Sequence, residues 1–232
     1  MRQIVLDTET TGLETSDGHR IIEIGCVEMI DRRLSGNHFH HYVNPERDIE
    51  DGALEVHGIS REFLHDKPVF ADIVDDLMEY IEGSQLIIHN APFDVGFLDY
   101  ELSLLGRPDR VTDHARILDT LELARDEHPG QRNSLDALCK RYDVDNSSRT
   151  LHGALLDAEI LADVYLAMTG GQSDLGLSFQ SAEATESGIA ELAGKERPAL
   201  RVLEANPQEA AAHQARLDAI KKNSGHCLWN DL

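Results

Sequence analysis

The stretch QIVLDTETTGL, residues 3–13, decides how the rest of the chain is read. Apolar Ile4, Val5 and Leu6 run straight into two acids two positions apart, Asp7 and Glu9. Successive side chains of a β-strand point to opposite faces, so positions i and i+2 share one. Two carboxylates are therefore aimed at a single spot, where like charges repel unless a cation lies between them.

Outward from this strand the pattern alternates between sheet and helix. RIIEIGCVEMI (20–30) and HFHHYV (38–43) read as antiparallel strands, with SGN (35–37) as the turn between them. From about 50 to 83 the pattern turns helical: Ile73, Val74, Leu77, Met78 and Ile81 recur at spacings of three and four, and Gly83 stops the helix. QLIIHN (85–90) is a short buried strand. A helix from Pro92 to Gly106 follows, with Phe93, Phe97, Leu98, Leu102 and Leu105 on its apolar stripe. RILDT (116–120) reads as a strand, and helices are expected near 119–127, 134–142 and 154–168. Strands interleaved with helices, after an antiparallel start, predict an α/β fold whose mixed sheet carries helices on both faces.

Two further segments bring acids to the same rim. IIHNAPFD (87–94) is a strand running into a Pro-initiated helix, and Asp94 sits in that helix's first turn. Open α/β sheets place their sites at the carboxyl ends of strands, where the first strand also delivers Asp7 and Glu9. In LHGALLDAEILADVYL (151–166), His152 and Asp157 share a site only if His152 lies in the loop before the helix, which Gly153 permits. Asp157 then projects among Leu156, Ile160 and Leu161, a costly place for a carboxylate without a cation. Asp119 with Glu122 reads as a helix cap, and His38, His40 and His41 as a solvated hairpin. Four carboxylates with one histidine are hard ligands for Mg²⁺ or Mn²⁺. Two such ions clamp the attacking and leaving oxygens of a phosphodiester, while His152 takes a proton from the attacking water.

Composition narrows the class. The 43 acidic against 21 basic residues give a formal charge of −22, which opposes non-specific attraction to nucleic acid or an anionic membrane. Three cysteines, Cys26, Cys139 and Cys227, form no CxxC pair, which speaks against a disulfide framework and for a reducing cytoplasm. With no leader-like segment before the first strand and no apolar run of about 20 residues, the expectation is a cytoplasmic chain without a membrane partner.

Residues 172–198 are rich in Ser, Gly, Glu and Ala and read as a flexible linker after a globular part of 1–171. LRVLEA (200–205) then suggests a short strand, and Asn206, Pro207 and Glu209 start a helix reaching about Lys222. A tail of 199–232 is too small for its own core and is expected to dock elsewhere.

DTETTG, HNAPFD and the His152/Asp157 pair, in this order, resemble the proofreading exonuclease family of the DEDD type with a histidine base; RIIEIG, VHGI, NSLDALC, RTLHGALLDA and the terminal CLW extend the likeness over the whole chain. The resemblance implies a ribonuclease H-like fold with Asp7, Glu9 and Asp157 on one metal, Asp7 and Asp94 at a second, and His152 as general base. It implies removal of nucleoside 5′-monophosphates from single-stranded or frayed 3′ DNA ends. Thr8, Thr10 and Leu13 match positions lining the terminal nucleotide, with Leu13 as a wedge, and Val56 and His57 match the side of its pocket. Gly52 departs from the Glu or Gln common five residues ahead of that histidine. In the linker, Gln172, Leu175 and Leu177 resemble a weak sliding-clamp peptide. In the tail, Leu217, Ile220 and Trp229 resemble anchors for the replicative polymerase's alpha subunit. A small theta-like subunit is a further partner known in the family. An RNA 3′-end exonuclease of the same chemistry, or a non-catalytic bridge between polymerase and clamp, are the competing readings.

Overall fold

The computed structural model describes residues 1–147, 149, 151–170, 206–224 and 229. They fall in two compact units, one within Met1–Leu175 and one within Gly176–Leu232.

The first unit is built on five strands: β1 (Arg2–Thr10), β2 (Ile21–Ile30), β3 (Arg33–Tyr42), β4 (Gln85–Ile88) and β5 (Arg116–Asp119). Their order is β3-β2-β1-β4-β5, antiparallel from β1 to β3 and parallel from β1 through β4 to β5. Around the sheet lie α1 (Asp51–His57), α2 (Arg61–Leu64), α3 (Phe70–Ile81), α4 (Ala91–Leu104), α5 (Val111–His114), α6 (Thr120–Glu127), α7 (Leu135–Tyr142) and α8 (Ala154–Gly170). The parity of β1 divides the core. Ile4 and Leu6 pack with residues of α3 and α4, whereas Val5 packs with Ala158, Leu161 and Tyr165 of α8. Helices thus cover both faces of a ribonuclease H-like mixed sheet, as the alternating pattern implied. Asp7 and Glu9 share the parity of Val5 and so sit on the α8 side.

Two expectations are corrected. The hairpin turns at Asp31 and Arg32, both at positive φ (49° and 64°), which is the conformation of a tight primed turn. Ser35, Gly36 and Asn37 lie instead within β3, where the register shifts: Val27 pairs with His38 but Met29 with Leu34. Opposite this bulge, Glu28 accepts hydrogen bonds from Ser35 Oγ at 2.7 Å and Asn37 Nδ2 at 3.5 Å. The helical run over 50–83 is likewise three helices rather than one. Gly58 closes α1 in the left-handed conformation (φ 71°), and Ser60 caps α2.

The second unit contains α9 (Pro207–Ser224). Its capping box forms as expected: Glu209 N–H donates to Asn206 Oδ1 at 2.9 Å and Asn206 N–H to Glu209 Oε2 at 3.0 Å. The strand expected at 200–205 and the linker 172–198, with Gln172, Leu175 and Leu177, lie outside the described residues. Leu217 is buried, Ile220 and Trp229 are exposed, and the Trp229 ring meets His213 edge-on at 6.5 Å between centroids.

Candidate active site

All five chemistry-bearing residues meet in one open cleft at the carboxyl ends of β1 and β4. Asp7, Glu9, Asp94, His152 and Asp157 line it together with Thr8, His89, Asn90, Asp136 and Arg149, around a volume of about 780 Å³.

 

Each wall of the cleft has a local cause. β1 delivers Asp7 and Glu9 toward α8, and its register shifts between Glu9 and Thr10 as the strand ends. Thr8 points to the opposite face, where its Oγ1 donates to Asp94 Oδ1 at 2.7 Å and so aims the first turn of α4 at the same rim. Asp119 Oδ1 caps α6 through Leu121 N–H at 2.8 Å, as a cap rather than a ligand. Its two oxygens also accept from Asn90 and Ala91 N–H at 3.1 and 3.2 Å, which fixes the turn into α4.

His152 lies in the loop before α8, as the spacing required. Its N–H donates to Val56 O at 3.1 Å, tying the loop to the end of α1. Asp157 is only 3% exposed, and acceptor atoms of Glu9, His152 and Asp157 lie within 4.8 Å of one another. Asp7 and Asp94 line the same cleft outside that tightest cluster.

Electrostatics reflect the crowding. Burial, then the charges of Asp94, Glu9 and Asp157, hold the Asp7 carboxyl well above its usual range. Burial, with Asp157, Glu23 and Asp94 adding to it, pushes Glu9 up to about 8. Burial raises Asp94 to about 7 although the Thr8 hydrogen bond pulls the other way. Carboxyls that resist ionisation beside one another, with oxygen donors and no thiolate, suit a hard divalent cation. His152 is displaced downward by burial and by the Arg149 charge, against the pull of Asp157 and Asp136, so its neutral form prevails at neutral pH.

The residues matched to a nucleotide pocket surround this cleft. Leu13 is 74% exposed and Val56 is exposed, while Thr8, Thr10 and His57 are buried. Thr10 Oγ1 donates to Gly12 O at 2.7 Å. His57 Nδ1 accepts from Ile59 N–H at 3.0 Å, and its buried Nε2 has no hydrogen-bond partner among the described residues.

Sequence reasoning missed three supports of the site. Gly25 faces Asp7 in the β1–β2 register, and a Cβ there would lie 2.2 Å from Leu155 N, so α8 packs backbone-on-backbone against β2. A glycine inside an apolar strand was the available signal. Glu23 Oε2 accepts from Ala154 N–H at 3.1 Å at the start of α8, while Glu23 Oε1 meets His40 Nε2 at 2.7 Å. His40 is therefore half-buried in a bridge rather than solvated, because Glu23 on the neighbouring strand needs a second partner. Arg149, the third support, forks onto Asp157, with Nε at 2.5 Å from Oδ1 and Nη2 at 2.7 Å from Oδ2.

Comparison with known proteins agrees with this geometry. A family model described as "Exonuclease" matches residues 4–165. The DNA polymerase III subunit epsilon of Salmonella typhimurium is 54% identical over 235 residues, covering 98% of this chain and 97% of that protein. The protein of the same name from Escherichia coli K12 is 54% identical over 239 residues, with 98% and 97% covered. Among solved structures, Exonuclease X in complex with 5′ overhanging duplex DNA has a TM-score of 0.58 at 27% identity, covering 83% of this chain and 99% of that one. The nuclease domain of 3′hExo, a DEDDh family member bound to rAMP, has a TM-score of 0.63 at 18% identity, covering 73% and 92%, which speaks to the fold.

Proposed function

The chain belongs to the exonuclease family, among the DNA polymerase III epsilon subunits, and is that polymerase's 3′–5′ proofreading exonuclease; we propose how its residues divide the work. Asp7, Glu9, Asp94 and Asp157 would hold two divalent cations, Mg²⁺ or Mn²⁺, in the cleft. When bound, they lower the pKa of water and stabilise the charge that builds on the scissile phosphate.

The chain's own residues do the rest. Thr8 keeps the Asp94 carboxylate aimed through its 2.7 Å hydrogen bond. His152, kept neutral by the partial desolvation of its ring, accepts a proton from the attacking water as general base. Thr8, Thr10, Leu13, Val56 and His57 line the terminal nucleotide, with exposed Leu13 as a wedge against the next base. Gly52 has nothing within 4 Å of where a Cβ would stand, so no side chain reaches toward the nucleotide from that position.

The remaining chain serves assembly in this reading. Residues 1–171 form the exonuclease domain, 172–198 a linker whose Gln172, Leu175 and Leu177 bind the sliding clamp weakly, and 199–232 a tail that docks on the polymerase alpha subunit. Leu217, Ile220 and Trp229 anchor that tail, and a theta-like subunit is a further candidate partner of the domain. The working compartment is the cytoplasm; among the described residues no helix is long and apolar enough to cross a membrane.

The observation that carries the reading is that β1, the first turn of α4, and α8 with the loop before it bring four carboxylates and one histidine to a single cleft. The test is hydrolysis of a 3′-labelled single-stranded DNA and of its RNA counterpart, by the wild type and by His152→Ala and Asp7→Ala. Metal-dependent release of 5′-mononucleotides from DNA, with each variant down roughly a hundredfold or more, is expected. Preference for RNA would favour an RNA-trimming enzyme, and an inert wild type that still binds polymerase would favour a bridging subunit.

A further inference from the structure

Arg149 stands where the proposed metal chemistry leaves least room for it. Its side chain is 8% exposed, and its guanidinium makes four contacts within the site. The fork onto Asp157 takes both oxygens of a carboxylate that the proposed function assigns to metal. Nη2 also donates to His152 Nδ1 at 2.9 Å, and Nη1 to Asp136 Oδ1 at 2.8 Å on the outer side. A guanidinium has no acceptor, so His152 Nδ1 must be the lone-pair nitrogen and the neutral ring carries its hydrogen on Nε2. In this arrangement one nitrogen of the base is occupied and the other is protonated.

We propose that Arg149 is a resident counter-cation: it neutralises Asp157 and blocks His152 while no divalent cation is bound, and it must leave Asp157 for metal to bind and for His152 to act. The inference rests on the proposed metal-dependent function. Its physical basis is competition. Mutually repelling carboxyls need positive charge, and of the described residues lining the cleft only Arg149 and Arg125 are permanent cations. Arg125 is exposed, whereas Arg149 is buried against the ligand itself. A dication attracts each carboxylate about twice as strongly as a guanidinium at equal distance, so metal can win the exchange. Asp136, 57% exposed and not among the proposed ligands, keeps the released guanidinium at the cleft wall. Arg149 is a positioning residue in this scheme, and its effect is on metal affinity and on the histidine's tautomer.

The test measures Mn²⁺ binding to the full chain by calorimetry, in the wild type, Arg149→Ala, Arg149→Lys and Arg32→Ala. Arg32 bonds Thr169 and the Leu166 carbonyl away from the cleft, so its variant reports the effect of net charge alone. Arg149→Ala should bind Mn²⁺ about tenfold more tightly than the wild type, equivalent to about 1.4 kcal/mol. Arg149→Lys, which keeps the charge but loses the fork, should fall between, and Arg32→Ala should match the wild type. Nitrogen NMR of His152 should show Nε2–H in the metal-free wild type and a changed ring signature in Arg149→Ala. If Arg149→Ala folds only with metal present, the same competition is seen as metal-dependent folding. Unchanged or weaker Mn²⁺ binding in both Arg149 variants would overturn the inference. A wild type that binds no Mn²⁺ at all would instead sink the metal-dependent function on which it rests.

Discussion

Gly25→Ala should damage the active site from a position that touches no substrate. The added Cβ would lie 2.2 Å from Leu155 N, 2.3 Å from Ala154 C and 2.5 Å from Ala154 O, against 3.4 Å for an ordinary contact. All three are backbone atoms at the start of α8, so no side-chain rotation relieves the overlap. The helix must retreat from β2 by about 1 Å, carrying Asp157 and the His152 loop away from Asp7 and Glu9. A misplacement of about 1 Å can cost on the order of 10²-fold in rate. Overpacking of this kind costs about 1–3 kcal/mol, which lowers the melting midpoint of a domain of this size by about 2–12 °C. The assay is metal-dependent mononucleotide release from single-stranded DNA, well below the variant's midpoint, with circular dichroism to verify folding. Gly96→Ala is the matched control, because nothing lies within 4 Å of its Cβ position. A folded Gly25→Ala protein within threefold of the wild type would refute the claim that this backbone contact positions Asp157.

Three further outcomes follow from the same site. Glu23→Gln should weaken the tie between β2 and α8, since one amide oxygen replaces two carboxylate oxygens serving Ala154 N–H and His40; a loss of about 1–3 kcal/mol by chemical denaturation is expected, and an unchanged midpoint would count against it. Glu9 at about 8 and Asp94 at about 7 lie above the ordinary 4.5 and 3.8, so the folded metal-free chain binds more protons than the unfolded one between about pH 4 and 8. Its stability should therefore fall as pH rises through that window, and the stabilisation by Mg²⁺ should grow across it; a flat metal-free melting profile would contradict the assignment. Finally, with a formal charge of −22 the chain should bind single strands weakly by itself, and adding the polymerase should lower its Michaelis constant for DNA; no lowering would remove the link drawn between acidity and proofreading.

Much of the site was legible because its chemistry follows local periods. The two-residue spacing of Asp7 and Glu9 sets their shared face, and Gly153 releases His152 from the helix that carries Asp157. The turn at Asp31 and Arg32 was hidden because it uses positive φ without Gly or Asn, while SGN, a stronger turn signal, forms a bulge. The breaks in the 50–83 run were signalled by Gly58 and Ser60, but the apolar spacing of α3 outweighed them. What could not be read is what depends on distant partners: Glu23 meets Ala154 across 131 positions, and Gly25 matters only because α8 lands on it. Arg149 reads from sequence as one basic residue before a helix; its significance appears only when its fork closes on Asp157.

Four carboxylates from β1, α4 and α8 converge in one cleft, where they are proposed to hold a pair of cations. Anomalous diffraction from crystals grown with Mn²⁺ and a nucleoside 5′-monophosphate tests it most directly. Two manganese peaks about 3.5–4 Å apart, with Asp7 between them and Asp157 and Asp94 on either side, are expected. Peaks remote from Asp7, or none in crystals that hold the nucleotide in the cleft, would contradict the claim.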